Sequence, residues 1–187
     1  MGRKGKVIAP AVLFSLLVLA CPFPSGPAVS YPGPGDGYKG WTGEVIIPLE
    51  NPRHVQVASA GGYLYLVADN GSDVYFYRTS DREGLTFGAG TLLDRVQRRE
   101  ARDPYVAAWD RYVAVGWKEF NDTRWSHVIA FSSDHGATWT KYYDGTQTTY
   151  DNYEPHLWYS GGKVHAAYVS NYPGRLEVYY KRFDLSG

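Results

Sequence analysis

The sequence predicts an all-β protein made of repeated four-stranded antiparallel sheets. Short runs of alternating apolar and polar residues recur along the chain, and Gly, Asn and Asp turns separate them. Aromatic residues make up 16% of the chain, with 17 tyrosines, and aromatic side chains favour strands. No segment after Glu44 has the apolar spacing of a helix. We therefore expect strands to form the folded part.

The N-terminus is predicted to be an export signal. Arg3, Lys4 and Lys6 form a basic start, and the apolar run Val7 to Ala20 follows. This run is shorter than the roughly 20 residues that span a membrane. A signal of this kind is removed from the mature protein. Residues 1–21 are assigned to it, which predicts a secreted or envelope-anchored protein.

Cys21 is the only cysteine. It follows Val18-Leu19-Ala20, and the four residues resemble the lipobox of bacterial lipoproteins, in which the cysteine is acylated. The alternative is a signal cleaved nearby, for instance beyond Ser30. A single cysteine excludes an internal disulfide and a thiolate metal cluster, and neither a metal nor a cofactor is expected. Residues 22–43, rich in proline and glycine, are predicted to be an extended linker.

The charge distribution argues against nucleic acid as a partner. The 19 lysines and arginines balance 19 acidic residues, and three of the basic residues belong to the export signal. The rest of the chain is mildly acidic and has no basic stripe. Contact with a membrane is expected only through the N-terminal signal or a lipid anchor.

Residues 44–187 contain a repeat. Each copy has a strand, a tight turn and a second strand, and the turns are Gly61-Gly62, Asp110-Arg111 and Gly161-Gly162. A polar loop then leads to a third strand, predicted at 74–78, 127–131 and 176–181. Fourth, outer strands are expected at 86–93 and 139–143, and Glu44 to Leu49 precedes the first copy in the same relative position.

An acidic turn follows the third strand. In the middle copy it is Ser132-Ser133-Asp134-His135-Gly136-Ala137-Thr138-Trp139. This segment matches the Asp-box, Ser-x-Asp-x-Gly-x-Thr-Trp, and through it the chain resembles the sialidases and related Asp-box (BNR) β-propellers. The first copy carries the pattern with one extra residue, at Asp81, Gly84 and Phe87, and a third begins at Asp184. The aspartates recur about every 50 residues, a spacing typical of four-stranded propeller blades.

The resemblance implies that the Asp-box is structural. The Asp134 carboxylate should accept hydrogen bonds within the turn, Gly136 should supply a positive φ, and Trp139 should pack into the blade. In this family the box lies opposite the ligand-binding face.

About three blades are predicted, whereas propellers close with four to eight. One explanation is that the chain is the N-terminal part of a longer protein. Another is that two chains form a homodimer with a six-bladed ring, in which Glu44 to Leu49 completes the partner's last blade. An open arc is the third.

Polar and aromatic loop residues are expected on the face opposite the Asp-boxes. An arginine can hold a carboxylate in a bidentate contact, and an aromatic ring can stack on a sugar. A glycan or a cell-surface glycoprotein is therefore the expected partner, although solvation alone also explains polar loops. The candidate residues are Arg53, His54, Asp69, Asp73, Arg102, Asp103, Glu119, Arg124, Trp125, Glu154 and His156.

Sialidases use an arginine triad, an aspartate acid/base and a tyrosine nucleophile activated by glutamate. By resemblance, Arg53 partly matches the first arginine, and Asp69 and Asp73 lie where the acid/base loop would fall. The chain lacks a complete catalytic set, so a carbohydrate- or protein-binding surface module is predicted. The alternatives are an exo-sialidase or related glycoside hydrolase, as part of a longer enzyme, and an extracytoplasmic scaffold or assembly factor.

Overall fold

The computed structural model describes residues 29–31, 44–79, 86–93, 100–120, 122–143 and 150–184. In these ranges the chain forms strands and no helix, which confirms the predicted all-β class. The strands are β1 (Val29–Tyr31), β2 (Glu44–Ile46), β3 (Val55–Ala60), β4 (Tyr63–Asp69), β5 (Val74–Arg78), β6 (Thr91–Leu92), β7 (Glu100–Trp109), β8 (Tyr112–Phe120), β9 (Trp125–Ser132), β10 (Thr140–Tyr143), β11 (Asn152–Ser160), β12 (Lys163–Ser170) and β13 (Glu177–Asp184). Accordingly, no helix in the described part could cross a lipid bilayer.

The strands form three consecutive blade-like sheets. Blade 1 has the order β3-β4-β5-β6, blade 2 the order β7-β8-β9-β10, and blade 3 the order β11-β12-β13. Neighbouring strands are antiparallel throughout. The described strands form no closed barrel, so the architecture is that of partial propeller-like blades.

The hairpins between first and second strands follow from their turn residues. Gly61 and Gly62 have φ of 59° and 80°, and Gly161 and Gly162 have φ of 57° and 77°. A two-residue turn with two positive φ values matches the right-handed twist of the flanking strands, and glycine adopts it without strain.

In the paired-ring hypothesis, β2 would complete the last blade of a second chain. In the structure, β2 has a different partner. It pairs with β1 of its own chain, with Val29 opposite Ile46 and Tyr31 opposite Glu44. A short alternating run, Val29–Tyr31, therefore adopts strand structure between the prolines of the segment predicted as a linker.

The core lies between the blades. We call the side of a blade that packs on the next blade its forward face, and the opposite side its rear face. Between blades 1 and 2, buried residues of the two sheets form one apolar cluster. The forward face of blade 1 contributes Tyr65, Val67, Val74 and Phe76, and the rear face of blade 2 contributes Val113, Val115, Trp117, Val128 and Ala130.

The second junction repeats this arrangement with more aromatic rings. His127 and Phe131 on the forward face of blade 2 lie 4.3 Å and 5.3 Å, between ring centroids, from Tyr168 and Phe183 of blade 3. Gly116 lets the inner strand of blade 3 approach closely, because a Cβ there would lie 3.2 Å from Leu157 Cδ1. Both junctions are thus a forward face against a rear face.

Candidate functional site

The Asp-box of blade 2 forms the turn between β9 and β10, as the resemblance implies. The Asp134 carboxylate accepts hydrogen bonds from Ser132 Oγ at 2.7 Å and from Thr138 N and Oγ1 at 2.8 Å and 2.6 Å. Hydrogen bonds from Thr138 and then Ser132 lower the pKa of Asp134 to about 2. The carboxylate is therefore held ionised as part of the turn.

The same turn connects blade 2 to blade 1. Gly136 has φ of 83°, and a Cβ at this position would lie 2.4 Å from the Phe76 ring. Trp139 Nε1 donates to Gly136 O at 3.0 Å, and its ring meets Phe76 edge-on at 4.8 Å. His135 Nδ1 lies 2.8 Å from the Tyr65 hydroxyl, and burial raises the pKa of Tyr65 to about 12. The box thus has a structural role at this junction.

The other two boxes differ in how much of them is described. In blade 1, Leu64 exchanges two hydrogen bonds with Thr79, and Thr79 pairs with the buried Phe87. Asp81 and Gly84 lie outside the described residues. In blade 3 the assignment of Asp184 needs correction.

The register of β13 shows why. Val164 and Val113 are each the second residue of the second strand of their blade. Phe183 pairs with Val164, and Ser132 pairs with Val113, so Phe183 corresponds to Ser132. Asp184 therefore comes one residue before the position that Asp134 occupies in blade 2. It belongs to the ladder, opposite Lys163, and its carboxylate pairs with Lys163 Nζ.

Five of the predicted ligand-face residues converge at the other end of the blades. Arg53 and His54 precede β3, Asp69 ends β4, and Arg102 and Asp103 lie near the start of β7. His54 Nδ1 lies 2.8 Å from Asp69 Oδ2 and 2.8 Å from Asp103 Oδ1. The side chain of Asp69 is fully buried, whereas that of His54 is 55% exposed.

Backbone donors hold the buried Asp69. Its carboxylate accepts from Gly71 N at 2.9 Å and from Asp103 N at 3.2 Å, which compensates its burial. Asp103 adopts φ of 52° where the β7–β8 ladder changes register, between Arg102 and Tyr105. This irregularity turns the Asp103 carboxylate toward His54 of blade 1, and the same carboxylate pairs with Lys118 Nζ of its own blade.

Two cationic side chains lie near the Trp125 ring, beside these carboxylates. Lys118 Nζ and Arg102 Cζ lie 5.0 Å and 5.9 Å from it, and Arg102 Nε donates to Gly71 O at 3.1 Å. The Arg53 guanidinium lies against Gly71, within 2.8 Å of where a Cβ would be. We call this set the rim cluster, and its members are Arg53, His54, Asp69, Arg102, Asp103, Lys118 and Trp125.

The rim cluster contains charges of both signs and one exposed imidazole. His54, Asp69 and Asp103 place potential metal ligands within 4.8 Å of one another. Lys118 already supplies a cation beside Asp103. Arg102 pairs with Glu100 at 2.7 Å, whereas Arg53 has no carboxylate partner among the described residues. Among the described residues, Arg53 is thus an exposed cation of the cluster without a carboxylate partner.

The remaining predicted residues are in β8, in β11 and in the loops before β5 and β9. Glu119 is a correction, because it is 2% exposed inside β8 and not on a solvent-facing loop. Asp73 lies across the β4–β5 turn, where its amide donates to Asn70 Oδ1. Arg124 lies in the loop before β9, and His156 is in β11, with its ring 4.0 Å from Tyr105. Glu154 is also in β11, and its side chain lies outside the described part.

Sequence reasoning missed Lys118 and the support beneath Trp125. Lys118 interrupts an apolar strand without a motif, so only strand pairing brings it beside Asp103. Trp125 N donates to Asp151 Oδ1 at 2.9 Å, and Asp151 Oδ2 accepts from Asn171 Nδ2 at 3.1 Å. The loop before β11 and the loop after β12 therefore fix the start of β9.

No protein-family model matches the sequence, and no curated protein matches it. Among solved structures, the chain is similar to Zg3597, a family 117 glycoside hydrolase produced by the marine bacterium Zobellia galactanivorans. The identity is 11%, the TM-score is 0.48, and the likeness covers 71% of this chain and 52% of that one. The chain therefore spans about half the length of that structure. The resemblance to sialidases rests on the Asp-box and the blade pattern alone.

Proposed function

We propose that this chain is an exported surface protein that binds glycans carrying an acidic group, through the rim cluster. The observation that carries the proposal is the exposed Arg53 guanidinium, which lies against Gly71 and has no carboxylate partner among the described residues. Trp125, flanked by Lys118 and Arg102, belongs to the same cluster. A guanidinium can hold a carboxylate or sulfate through two parallel hydrogen bonds. An indole face offers a stacking surface for a sugar ring.

The buried carboxylate supports this interpretation. Asp69 is satisfied by Gly71 N, Asp103 N and His54, so the cluster exists before any ligand arrives. A binding site formed in advance loses less conformational entropy when the ligand binds. Its position opposite the Asp-box turn is also the position that the sialidase resemblance implies for a ligand.

The test is calorimetric titration with sialyllactose and with lactose, its neutral counterpart. We expect Arg53→Ala to weaken sialyllactose binding by about tenfold or more, since a hydrogen-bonded charge contributes about 1.5–3 kcal/mol. Trp125→Ala should weaken binding of both sugars. Arg111→Ala, an exposed arginine in the hairpin turn of blade 2, is the matched control.

Equal affinity of wild type and Arg53→Ala for sialyllactose would reject the proposed role of this arginine. Absence of binding to either sugar, in a folded protein, would reject the site as a receptor for this sugar class. Release of free sialic acid during the titration would instead identify a hydrolase.

Export and anchoring are the second part of the proposal. Residues 1–21 lie outside the described residues, and the basic start followed by an apolar run supports export. Mass spectrometry of the protein from its native host should find no intact Met1. If Cys21 is acylated, Cys21→Ser should move the protein out of the membrane fraction, and unchanged partitioning would contradict the lipid anchor.

A further inference from the structure

The open side of blade 3 is a forward face with no partner in the described chain. Trp158, Val178 and Tyr180 point outward from it and are 73%, 77% and 64% exposed. By the register of the two sheets, Val178 and Tyr180 correspond to His127 and Ile129 of blade 2. Those two residues are buried on the forward face of blade 2. The open face therefore lacks the kind of contact that its counterpart makes.

Part of the rear face of blade 1 is open, although Tyr77 on the same face is buried and its hydroxyl donates to Pro48 O of the same chain. Val55 and Val57 are 52% and 62% exposed on this face, and Leu64 is 36% exposed. Counted from the hairpin turn, Val57 and Leu64 correspond to Val106 and Val113 of blade 2. Val113 is fully buried in the cluster between blades 1 and 2, and Val106 packs against it. Blade 1 therefore exposes apolar positions whose counterparts in blade 2 are buried.

We propose that these two faces are the interface for a second copy of the same chain. The rear face of blade 1 in one copy would pack on the forward face of blade 3 in the other. This contact continues the forward-to-rear packing that already joins blades 1, 2 and 3, so it requires no new kind of interface. Exposed apolar patches of this kind mark association surfaces.

The contact can close with two copies. Each chain carries one face of each kind, so a two-fold dimer uses the contact twice and satisfies both open faces. The three described blades of each copy give six, within the four to eight of closed propellers. Exchange of β2 is not needed, because β2 pairs with β1 of its own chain.

The experiment is sedimentation velocity of the 187-residue chain over a range of concentrations, with one variant on each face. Wild type should be a dimer. Tyr180→Arg on the forward face and Val57→Arg on the rear face should each be monomeric, because each places a charge in both contacts. Ser133→Arg, on the exposed Asp-box turn, adds the same charge elsewhere and should stay dimeric.

Mixing the two monomeric variants distinguishes this interface from general stickiness. A mixed dimer has one contact with both substitutions and one contact with neither, so dimers should reappear on mixing. Monomeric wild type, a dimeric face variant, or a mixture that remains monomeric would each overturn the proposal.

Near-ultraviolet circular dichroism checks that the variants are folded. Trp158→Arg and Val55→Arg repeat the test at second positions on the two faces. A ladder of higher oligomers in place of a dimer would overturn the two-fold closure.

Discussion

The Asp134 carboxylate holds the turn between β9 and β10 through one backbone amide and two hydroxyl groups. Its three partners come from residues two positions before it and four after it, so the geometry is local. For this reason the motif alone predicted the role of Asp134. What the motif could not show is that the turn also contacts Phe76 and Tyr65 of the preceding blade.

The acid stability of the protein should depend on Asp134. Its pKa is lowered from 3.8 to about 2 in the folded state, so the stabilisation is present above about pH 4 and is lost as pH falls toward 2. Asp134→Asn should remove this part of the pH dependence and lower the free energy of unfolding at pH 7 by about 1 kcal/mol. Urea unfolding between pH 2 and pH 7 measures both effects.

Thr138 provides the control. Thr138→Ser keeps the hydroxyl donor and should preserve the acid dependence, whereas Thr138→Val should reduce it. An Asp134→Asn protein with the wild-type pH profile would contradict the assigned cause.

A pair of glycine substitutions separates backbone strain from steric overlap. Gly136 and Gly161 both have positive φ, but only Gly136 would place a Cβ against a neighbouring ring, that of Phe76. Gly161→Ala should cost about 1 kcal/mol for the left-handed conformation. Gly136→Ala should cost about 3 kcal/mol, since Phe76 must also move. Urea unfolding of both variants checks the order, and equal losses would show that Phe76 relaxes freely.

At the level of strands, the sequence predicted the order and the turns well, and the exact register poorly. Hairpin turns carry glycine or aspartate, which the sequence displays directly. The end of β13 has no such signal, because it is fixed by pairing between Lys163 and Asp184. A shift of one residue moves a side chain to the other face of a sheet, which is why Asp184 matched the motif by letter and not by position.

The contact between β4 and the Asp-box turn should couple the two blades energetically. Tyr65→Phe removes the hydroxyl that lies 2.8 Å from His135 Nδ1, and His135→Asn keeps a residue that tolerates positive φ. Each change should cost about 1 kcal/mol, and the double variant should cost less than the sum of both. Tyr65→Phe combined with the distant Trp158→Ala should be additive. Additivity in the Tyr65–His135 pair as well would contradict the coupling.

For the whole molecule, loop topology explains why part of the rim cluster was predictable. Residues that enter the inner strands of successive blades meet at one end, so Arg53, His54, Arg102 and Asp103 were expected together. Lys118 and Glu119 are adjacent in β8, yet Lys118 joins the rim cluster and Glu119 is buried. Alternation along β8 puts the two side chains on opposite faces of the sheet, and the register irregularity near Asp103, which no sequence pattern predicted, lies in the neighbouring β7.

Thermal stability should depend on protein concentration if the open faces pair. A dimer is favoured by mass action, so the melting temperature of the wild type should rise as its concentration is raised. The Tyr180→Arg protein should melt at one temperature throughout the same range. Calorimetry at several concentrations gives both results, and a concentration-independent wild-type transition would contradict association.

Blade 1 carries a natural optical probe on each of its faces. Burial raises the pKa of Tyr65 on the forward face and of Tyr77 on the rear face to about 12. In an alkaline titration followed by tyrosinate absorbance, either phenol would therefore ionise at a higher pH than an ordinary tyrosine. Because the stabilisation from a raised pKa is lost as pH climbs through the folded value, the two rings should ionise as the blade opens. Replacing one ring at a time with phenylalanine would then show which side of the blade separates first in alkali.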